Sequence, residues 1–174
     1  AGKEFFPSVT ADGTIYYTHL DTVANEEFIY RSRLVNGVYL DPEKLGPNVN
    51  IGKARYNAFV APDESYIIIP AYGMSDSFGA TDYYISFRNS LDKWSLPVNM
   101  GPQINSSFQR EWSASVSTDG KYIFFMSDRQ GNISPGKLST EMLRNSHNSP
   151  QNGNPDIYWI SSAVIEKLRA NARY

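Results

Sequence analysis

The sequence predicts an all-β protein, and three observations support this fold class. Aromatic residues make up 14% of the 174 residues, and Tyr, Phe and Ile recur in short runs that suit β-strands. Turn-forming residues separate these runs, with 12 Gly and 10 Pro in the chain. A strand–turn–strand unit also occurs three times, which indicates an architecture built from repeats.

The best-defined copy of this unit runs from Ala114 to Met126. An Asp-Gly turn at Asp119 lies between two β-rich stretches, and Asp-Gly is a strong hairpin signal because Gly adopts positive φ without steric cost. The other copies centre on Asp12 and Asp63, so successive turn aspartates are 51 and 56 residues apart. We expect these aspartates to be structural, because a short carboxylate can accept a backbone N–H and tighten the turn.

Two further landmarks extend the repeat. An acidic residue opens an aromatic and aliphatic strand in every unit, at residues 27–30, 82–85 and 156–159. A Gly-Pro motif ending in Asn closes the first two units, at residues 46–50 and 101–105. Each unit therefore has room for about four short strands.

Four antiparallel strands in a repeat of roughly 50 residues are typical of a β-propeller blade. A β-sandwich also uses short strands, but it gives no reason for the sequence to repeat at a fixed period. We therefore predict one partial β-propeller domain over residues 1–174, with four-stranded antiparallel blades at about 1–50, 51–105 and 106–160. In the first blade, Asn36 and Gly37 predict an additional hairpin turn.

The third unit is predicted to differ from the others in two places. A polar insertion rich in Asn, Ser, Gly and Pro occupies residues 130–155. Within it Ser139 can cap a short helix. Long insertions of this kind are either functional or mobile, and the sequence leaves both possibilities open. Residues 161–171 are predicted to form a C-terminal helix whose apolar residues share one face, which suits a cap on the last blade.

Composition excludes several classes of function. The formal net charge is −2, so no basic surface is implied and nucleic acid is not an expected partner. The chain has no Cys, which removes disulfides, thiol catalysis and Cys-ligated metals. Its two histidines, His19 and His147, lack metal-ligand spacing, so no metal or other cofactor is predicted. No apolar run of about 18 residues predicts a membrane span, and no signal peptide is expected within the chain.

Several segments resemble the repeat of the WD40-like, TolB-type β-propeller family, often called PD40. That repeat reads approximately Ser-Pro-Asp-Gly-Lys-x-Ile-x-Phe-x-Ser-Asp-Arg, with Asp-Ile-Tyr later. Residues 61–67, 117–129 and 154–158 match it, whereas the turn at Asp12 lacks the Pro. The resemblance implies a periplasmic or extracellular protein, similar to the C-terminal blades of exported bacterial TolB-like proteins. It is specific for fold and weak for function, since such propellers serve as scaffolds, binding modules and parts of enzymes.

Three blades pose a physical problem, because propellers typically need about four to eight blades to close a ring. An open half-ring exposes two apolar blade faces. Two chains that pair by twofold symmetry would complete a six-bladed ring as a homodimer. The chain would otherwise be a fragment of a longer protein, or its repeats would pack differently.

Candidate binding residues come from their position in the repeat. The residues before each innermost strand tend to line the mouth of a propeller channel. Here these stretches are 4–6 in the first unit, Arg55-Tyr56-Asn57 in the second and Arg110-Glu111-Trp112 in the third. Arginine with Tyr or Trp at one recurring position would suit a polar, planar or anionic ligand, or a peptide. The alternative is that the aromatic rings pack between blades and the arginines are solvated.

The predicted function is a non-enzymatic, TolB-like propeller module that binds a protein or peptide partner. The sequence shows no nucleophile elbow, P-loop or dinucleotide motif, so no catalytic residue is assigned. The alternative is an enzyme, or the remnant of one, that acts on glycans or peptides at the channel mouth. A purely structural repeat domain is a third possibility.

Overall fold

The computed structural model describes residues 2–23, 25–131 and 139–174. Over these residues the protein is mostly β, with two short helices and three main antiparallel sheets, none of which closes on itself. This confirms the all-β prediction. We name the sheets N-terminal, central and C-terminal in chain order.

The N-terminal sheet has strand order β1-β2-β3-β6. A two-stranded hairpin, β4-β5, leaves this sheet, and Asn36 and Gly37 form its turn with φ of 50° and 79°. Two positive φ values are what a tight two-residue hairpin turn requires, so this prediction is confirmed. The strands are β1 Lys3–Val9, β2 Ile15–Asp21, β3 Glu26–Ser32, β4 Leu34–Val35, β5 Val38–Tyr39 and β6 Glu43–Lys44.

The central sheet has order β11-β10-β9-β7, with β8 also paired to β9. Strand β10 is buried along its whole length because the other two sheets cover both of its faces. Its centre, Tyr83, Tyr84 and Ile85, is apolar on both faces, as expected of a strand that is covered on both sides. The strands are β7 Ala54–Arg55, β8 Phe59–Val60, β9 Tyr66–Tyr72, β10 Thr81–Phe87 and β11 Val98–Asn99.

The C-terminal sheet has three strands among the described residues, in the order β12-β13-β14. They are β12 Ala114–Val116, β13 Tyr122–Ser127 and β14 Asp156–Ser161. The other two sheets each carry a fourth strand, as the repeat predicts. Part of the 130–155 insertion, residues 132–138, lies outside the described residues.

Both predicted helices are present. Helix α1, Thr140–His147, lies in the insertion, and Ser139 caps it by accepting the N–H of Met142 at 3.1 Å, as predicted. Helix α2, Ala163–Arg169, is shorter than the predicted 161–171. Its Ile165 and Leu168 pack into the core between the central and C-terminal sheets.

The three turn aspartates have the predicted structural role. Each carboxylate accepts the backbone N–H two residues ahead: Asp12 from Thr14 at 3.0 Å, Asp63 from Ser65 at 3.0 Å, and Asp119 from Lys121 at 3.1 Å. The bonds hold the carboxylates in their charged form. The pKa of each aspartate is lowered: chiefly by the hydroxyl of Thr10 for Asp12 and of Ser117 for Asp119, while for Asp63 the hydrogen bonds from Ser65 outweigh the opposite effect of burial.

The Gly-Pro motifs end in an asparagine whose side chain forms hydrogen bonds with the backbone of a strand in its sheet. Asn50 accepts the N–H of Ile29 at 2.6 Å and donates to the same residue's carbonyl at 3.1 Å. Asn105 does the same with Tyr83, at 2.7 and 3.0 Å. An amide side chain can satisfy both backbone groups of one strand residue at once, so this position fixes the loop on its strand in both sheets.

Neighbouring sheets contact each other side by side at two places. The hydroxyl of Ser8 in β1 accepts the N–H of Val60 in β8 at 3.0 Å. Farther along, Asn57 and Ser113 form a parallel bridge between the segments that precede β8 and β12. One core fills the space between the N-terminal and central sheets, and a second lies between the central and C-terminal sheets.

Candidate functional site

The parallel bridge fixes which predicted site residues are equivalent. Because Asn57 is level with Ser113, Tyr56 is level with Trp112 and Arg55 with Glu111. The alignment of the repeats predicts that Arg110 is equivalent to Arg55, and this prediction is wrong by one residue. An aromatic residue therefore recurs at this position in the central and C-terminal sheets, and an arginine does not.

Tyr56 and Trp112 form the centre of a small cavity at this end of the sheets. Their ring centroids are 5.7 Å apart with a 34° angle between the planes. The cavity has a volume of about 250 Å³. We call it the aromatic cleft and define it by its lining residues, Phe6, Tyr56, Asn57, Trp112 and Ser113.

Phe6 reaches the aromatic cleft through a distorted backbone. The pairing of β1 with β2 shifts between Phe5 and Ser8, and Phe6 within this bulge has φ of 56°. Positive φ is uncommon and costly for a large residue that is not glycine. Bulges often redirect a side chain beside a functional site, and here Phe6 lines the same cavity as Tyr56 and Trp112.

Few polar groups accompany these rings. Asn57 Nδ2 donates to Ser113 Oγ at 3.2 Å, and this pair forms one wall of the cleft. The guanidinium of Arg110 lies 5.5 Å from the ring centre of Trp112, where a cation–π attraction operates. Arg110 is half-exposed, and the carboxylate nearest to it is that of Asp128, at 4.0 Å.

A second cavity of about 470 Å³ adjoins the other side of the Asn57–Ser113 pair. It extends along the C-terminal sheet past Phe124 and Ile157, which are 39% and 79% exposed. Both cavities are largely apolar and share Asn57 and Ser113 in their walls, an arrangement that suits an extended ligand.

Arg55 faces away from the aromatic cleft into a different cavity, of about 600 Å³. The side chain is 4% exposed. Burial lowers the pKa of Arg55, while Glu27 and Glu26 act in the opposite direction. We call this cavity the charged pocket. Its lining includes Glu26, Glu27, Phe28, Lys53, Arg55 and Tyr56.

Glu111 lies inside the protein, between the central and C-terminal sheets. It is 0% exposed, and its Oε1 accepts hydrogen bonds from the hydroxyls of Ser106 at 2.6 Å and Ser127 at 3.1 Å. Its Oε2 is buried without a hydrogen bond among the described residues. Burial raises the pKa of Glu111 to about 7. The predicted role at the channel mouth does not fit this position, because no ligand reaches a side chain with no exposed surface.

Sequence reasoning missed a charged cluster between the N-terminal and central sheets. Arg31, 4% exposed, pairs with Asp92 and with Glu43, while Arg88 pairs with Asp92 and with Glu64. These partners come from segments up to 61 residues apart, so no local pattern reveals them. The cluster is well paired, and its role is to join the two sheets.

The described residues contain no group of three or more His, Cys, Asp or Glu side chains placed to hold a metal ion. Within the same ranges no helix has the length and apolar character needed to cross a membrane. No model of a known protein family matches the chain. A comparison with the curated proteins also finds no match.

Proposed function

We propose that the chain is a set of three blades of a WD40-like, TolB-type (PD40) β-propeller. Three features support this. The three sheets follow one another in chain order, the aspartate turn recurs in all of them, and the asparagine fastening recurs in two. The lateral contacts between neighbouring sheets, from Ser8 to Val60 and from Asn57 to Ser113, are those expected of blades arranged around an axis.

We further propose that the protein is a non-enzymatic binding module for a protein or peptide, and that the aromatic cleft receives the partner. The observation that carries this is Phe6, which has positive φ and lines the same cavity as Tyr56 and Trp112. Backbone strain of this kind persists where function requires it. Exposed Trp and Tyr side chains in a cleft are also the usual anchors of protein–protein recognition.

The enzyme alternative has weaker support. Glu111, with its pKa raised to about 7, has the acidity of a general acid or base. However, it is 0% exposed, so it has no contact with a substrate. We therefore place binding ahead of catalysis.

The test is a selection of random peptides displayed on phage against the purified chain. Affinities of the enriched peptides are then measured for the wild type, Trp112→Ala and Trp159→Ala. Trp159 is the matched control, because it is 65% exposed in β14 and lines neither the aromatic cleft nor the second cavity. We expect Trp112→Ala to weaken binding by at least about tenfold, as a hot-spot residue does, and Trp159→Ala to leave it unchanged. Equal binding by all three proteins, or no enrichment, would contradict the proposal.

The resemblance also supports two subsidiary proposals, namely that the protein works in the periplasm or outside the cell and that two chains form a six-bladed homodimer. Light scattering checks the second. A mass near twice 19.6 kDa that persists on dilution supports the dimer, and a monomer at all concentrations contradicts it.

A further inference from the structure

Arg55 is a buried cation without a charged partner. Its Nη1 donates to the carbonyls of Ile51 and Gly52, both at 3.1 Å. Its Nε is buried and makes no hydrogen bond, and no carboxylate in the described part of the chain lies within 4.0 Å of the guanidinium. Arginine stays charged at neutral pH, and an unpaired buried charge is strongly unfavourable. No carboxylate of the described chain therefore makes a direct ion pair with Arg55.

The other arginine buried to the same extent shows the contrast. Arg31 is also 4% exposed, yet it makes ion pairs with Glu43 at 2.6 Å and with Asp92 at 2.9 Å. The fold therefore supplies carboxylates where burial of a guanidinium is structural. Arg55 has no carboxylate within ion-pair distance, and it lines an open cavity of about 600 Å³. This is the arrangement expected of a binding site for an anion.

The rest of the charged pocket restricts the anion. Glu26 and Glu27 line the same cavity, and both act electrostatically on Arg55 from beyond ion-pair distance. Lys53 also lines the cavity, so Lys53 and Arg55 together balance the two carboxylates, and the pocket has no excess positive charge to favour phosphate or another dianion. The two carboxylates attract a cation, so the pocket suits a ligand that carries one carboxylate and one positive group.

Aromatic residues connect the charged pocket with the aromatic cleft. The Phe28 ring has the Lys44 ammonium 3.0 Å from its centre and the Arg55 guanidinium 5.1 Å from its centre. Tyr56 lines both this pocket and the aromatic cleft. A chain that ends in the charged pocket can therefore continue across Tyr56 into the cleft.

We propose that Arg55 binds the free carboxylate of a lysine or arginine residue, whose cationic side chain lies toward Glu26 and Glu27. The guanidinium fork of Arg55 pairs with the two carboxylate oxygens. One form of this ligand is a peptide that ends in a basic residue and whose preceding residues occupy the aromatic cleft. The inference in that form rests on the proposed function. The carboxylate site itself does not.

The first test uses three small probes in two-dimensional ¹H–¹⁵N NMR titrations of the wild-type chain. Nα-acetyl-lysine has both charges, Nα-acetyl-lysine amide lacks the carboxylate, and Nα-acetyl-norleucine lacks the cation. We expect shifts centred on the charged pocket with the first probe, and binding on the order of tenfold weaker with each of the others. Equal binding of the acid and the amide would overturn the proposal.

The second test uses variants. Arg55→Met removes the fork and is expected to abolish binding of Nα-acetyl-lysine, whereas Arg55→Lys keeps a charge and retains part of it. Arg144→Met, on the exposed helix α1, is the matched control and binds as the wild type does. Because Arg55→Met removes an unpaired charge, its melting temperature should not fall. Unchanged binding by Arg55→Met would overturn the assignment even if the probe results stood.

A third set of measurements identifies the source of the carboxylate. Free lysine, Nα-acetyl-lysine and a pentapeptide ending in lysine are compared on the wild type and on Trp112→Ala. Tighter binding of the pentapeptide, lost in Trp112→Ala, supports a peptide C-terminus that reaches the cleft. If Trp112→Ala leaves the binding of all three unchanged, the proposed function fails while the carboxylate site stands. If none of the three binds the wild type, the carboxylate site fails.

Discussion

The guanidinium of Arg31 and the carboxylate of Asp92 form a two-point ion pair, with Nη1–Oδ1 and Nη2–Oδ2 distances of 3.0 and 2.9 Å. Arg31 lies in β3 of the N-terminal sheet, and Asp92 lies in a loop of the central sheet. Burial acts to raise the pKa of Asp92, but hydrogen bonds from Arg31, Arg88 and Arg33 outweigh it and lower the pKa. The pair thus links two sheets through a group that stays ionised.

Asp92→Asn should destabilise the protein by about 3 kcal/mol, because it leaves Arg31 buried with reduced compensation. Urea unfolding at pH 7 measures this change. Asp41→Asn, on an exposed residue of the neighbouring loop, is the control and should change stability by less than about 0.5 kcal/mol. Equal effects of the two substitutions would show that the ion pair does not hold the sheets together.

Glu111 should make stability fall as pH rises from about 4.5 to about 7. Below that range the carboxyl is protonated in both the folded and the unfolded chain. Within it the unfolded chain ionises first, because burial raises the folded-state pKa to about 7. Glu111→Gln should therefore flatten the dependence of unfolding free energy on pH between 5 and 8.

The control for Glu111→Gln is Glu141→Gln, on exposed helix α1. It should leave the wild-type pH profile intact. If the Glu111→Gln profile matched that of the wild type, the buried carboxyl would not be the source of the pH dependence.

Asn105→Ala should cost about 2–3 kcal/mol of stability, because it leaves the buried N–H and carbonyl of Tyr83 without the side-chain partner that both now have. Chemical denaturation measures this, with Gln103→Ala on an exposed residue of the same motif as the control. Hydrogen exchange adds a local readout, since the Tyr83 amide should lose protection in the first variant only. An unchanged Tyr83 amide would contradict the fastening role of Asn105.

Phe6 should show an inverted preference for glycine over alanine. In a strand, glycine is normally less stable than alanine by about 0.5–1 kcal/mol. At φ of 56° alanine is strained and glycine is not, so Phe6→Gly should be more stable than Phe6→Ala by about 1 kcal/mol. The same pair of substitutions at Phe5, which lacks positive φ, should give the normal order. The normal order at both positions would contradict strain at Phe6.

Local features were predictable from the sequence because their causes are local. An Asp side chain closes its own turn, Ser139 caps the helix that follows it, and Asn36-Gly37 adopts the φ values that a hairpin needs. The repeat made the succession of sheets predictable as well. The propeller assignment and the binding partner stay predictions.

Relations between sheets were not predictable. The first aspartate turn is one residue shorter than the others: Val9 pairs with Ile15, whereas Val60 pairs with Ile67 and Val116 with Ile123. That difference shifts the first repeat against the others. The mismatch of Arg110 with Arg55 has another cause: Arg55 lies 8 residues before Asp63, whereas Arg110 lies 9 residues before Asp119, so matching by residue type departed from the register of the turns. The burial of Glu111 and the isolation of Arg55 depend on contacts that only the assembled sheets define.

Strand β14 has consequences for how this chain is handled. Among the described residues no strand pairs with its outer edge, so the row of N–H and carbonyl groups along Asp156–Ser161 is open, next to the exposed Ile157 and Trp159. Open edges beside apolar side chains template aggregation. Loss of soluble material at high concentration should therefore begin at this edge. A lysine in place of Ile157 would improve the solubility of the isolated chain, but it would also change the second cavity, which Ile157 lines.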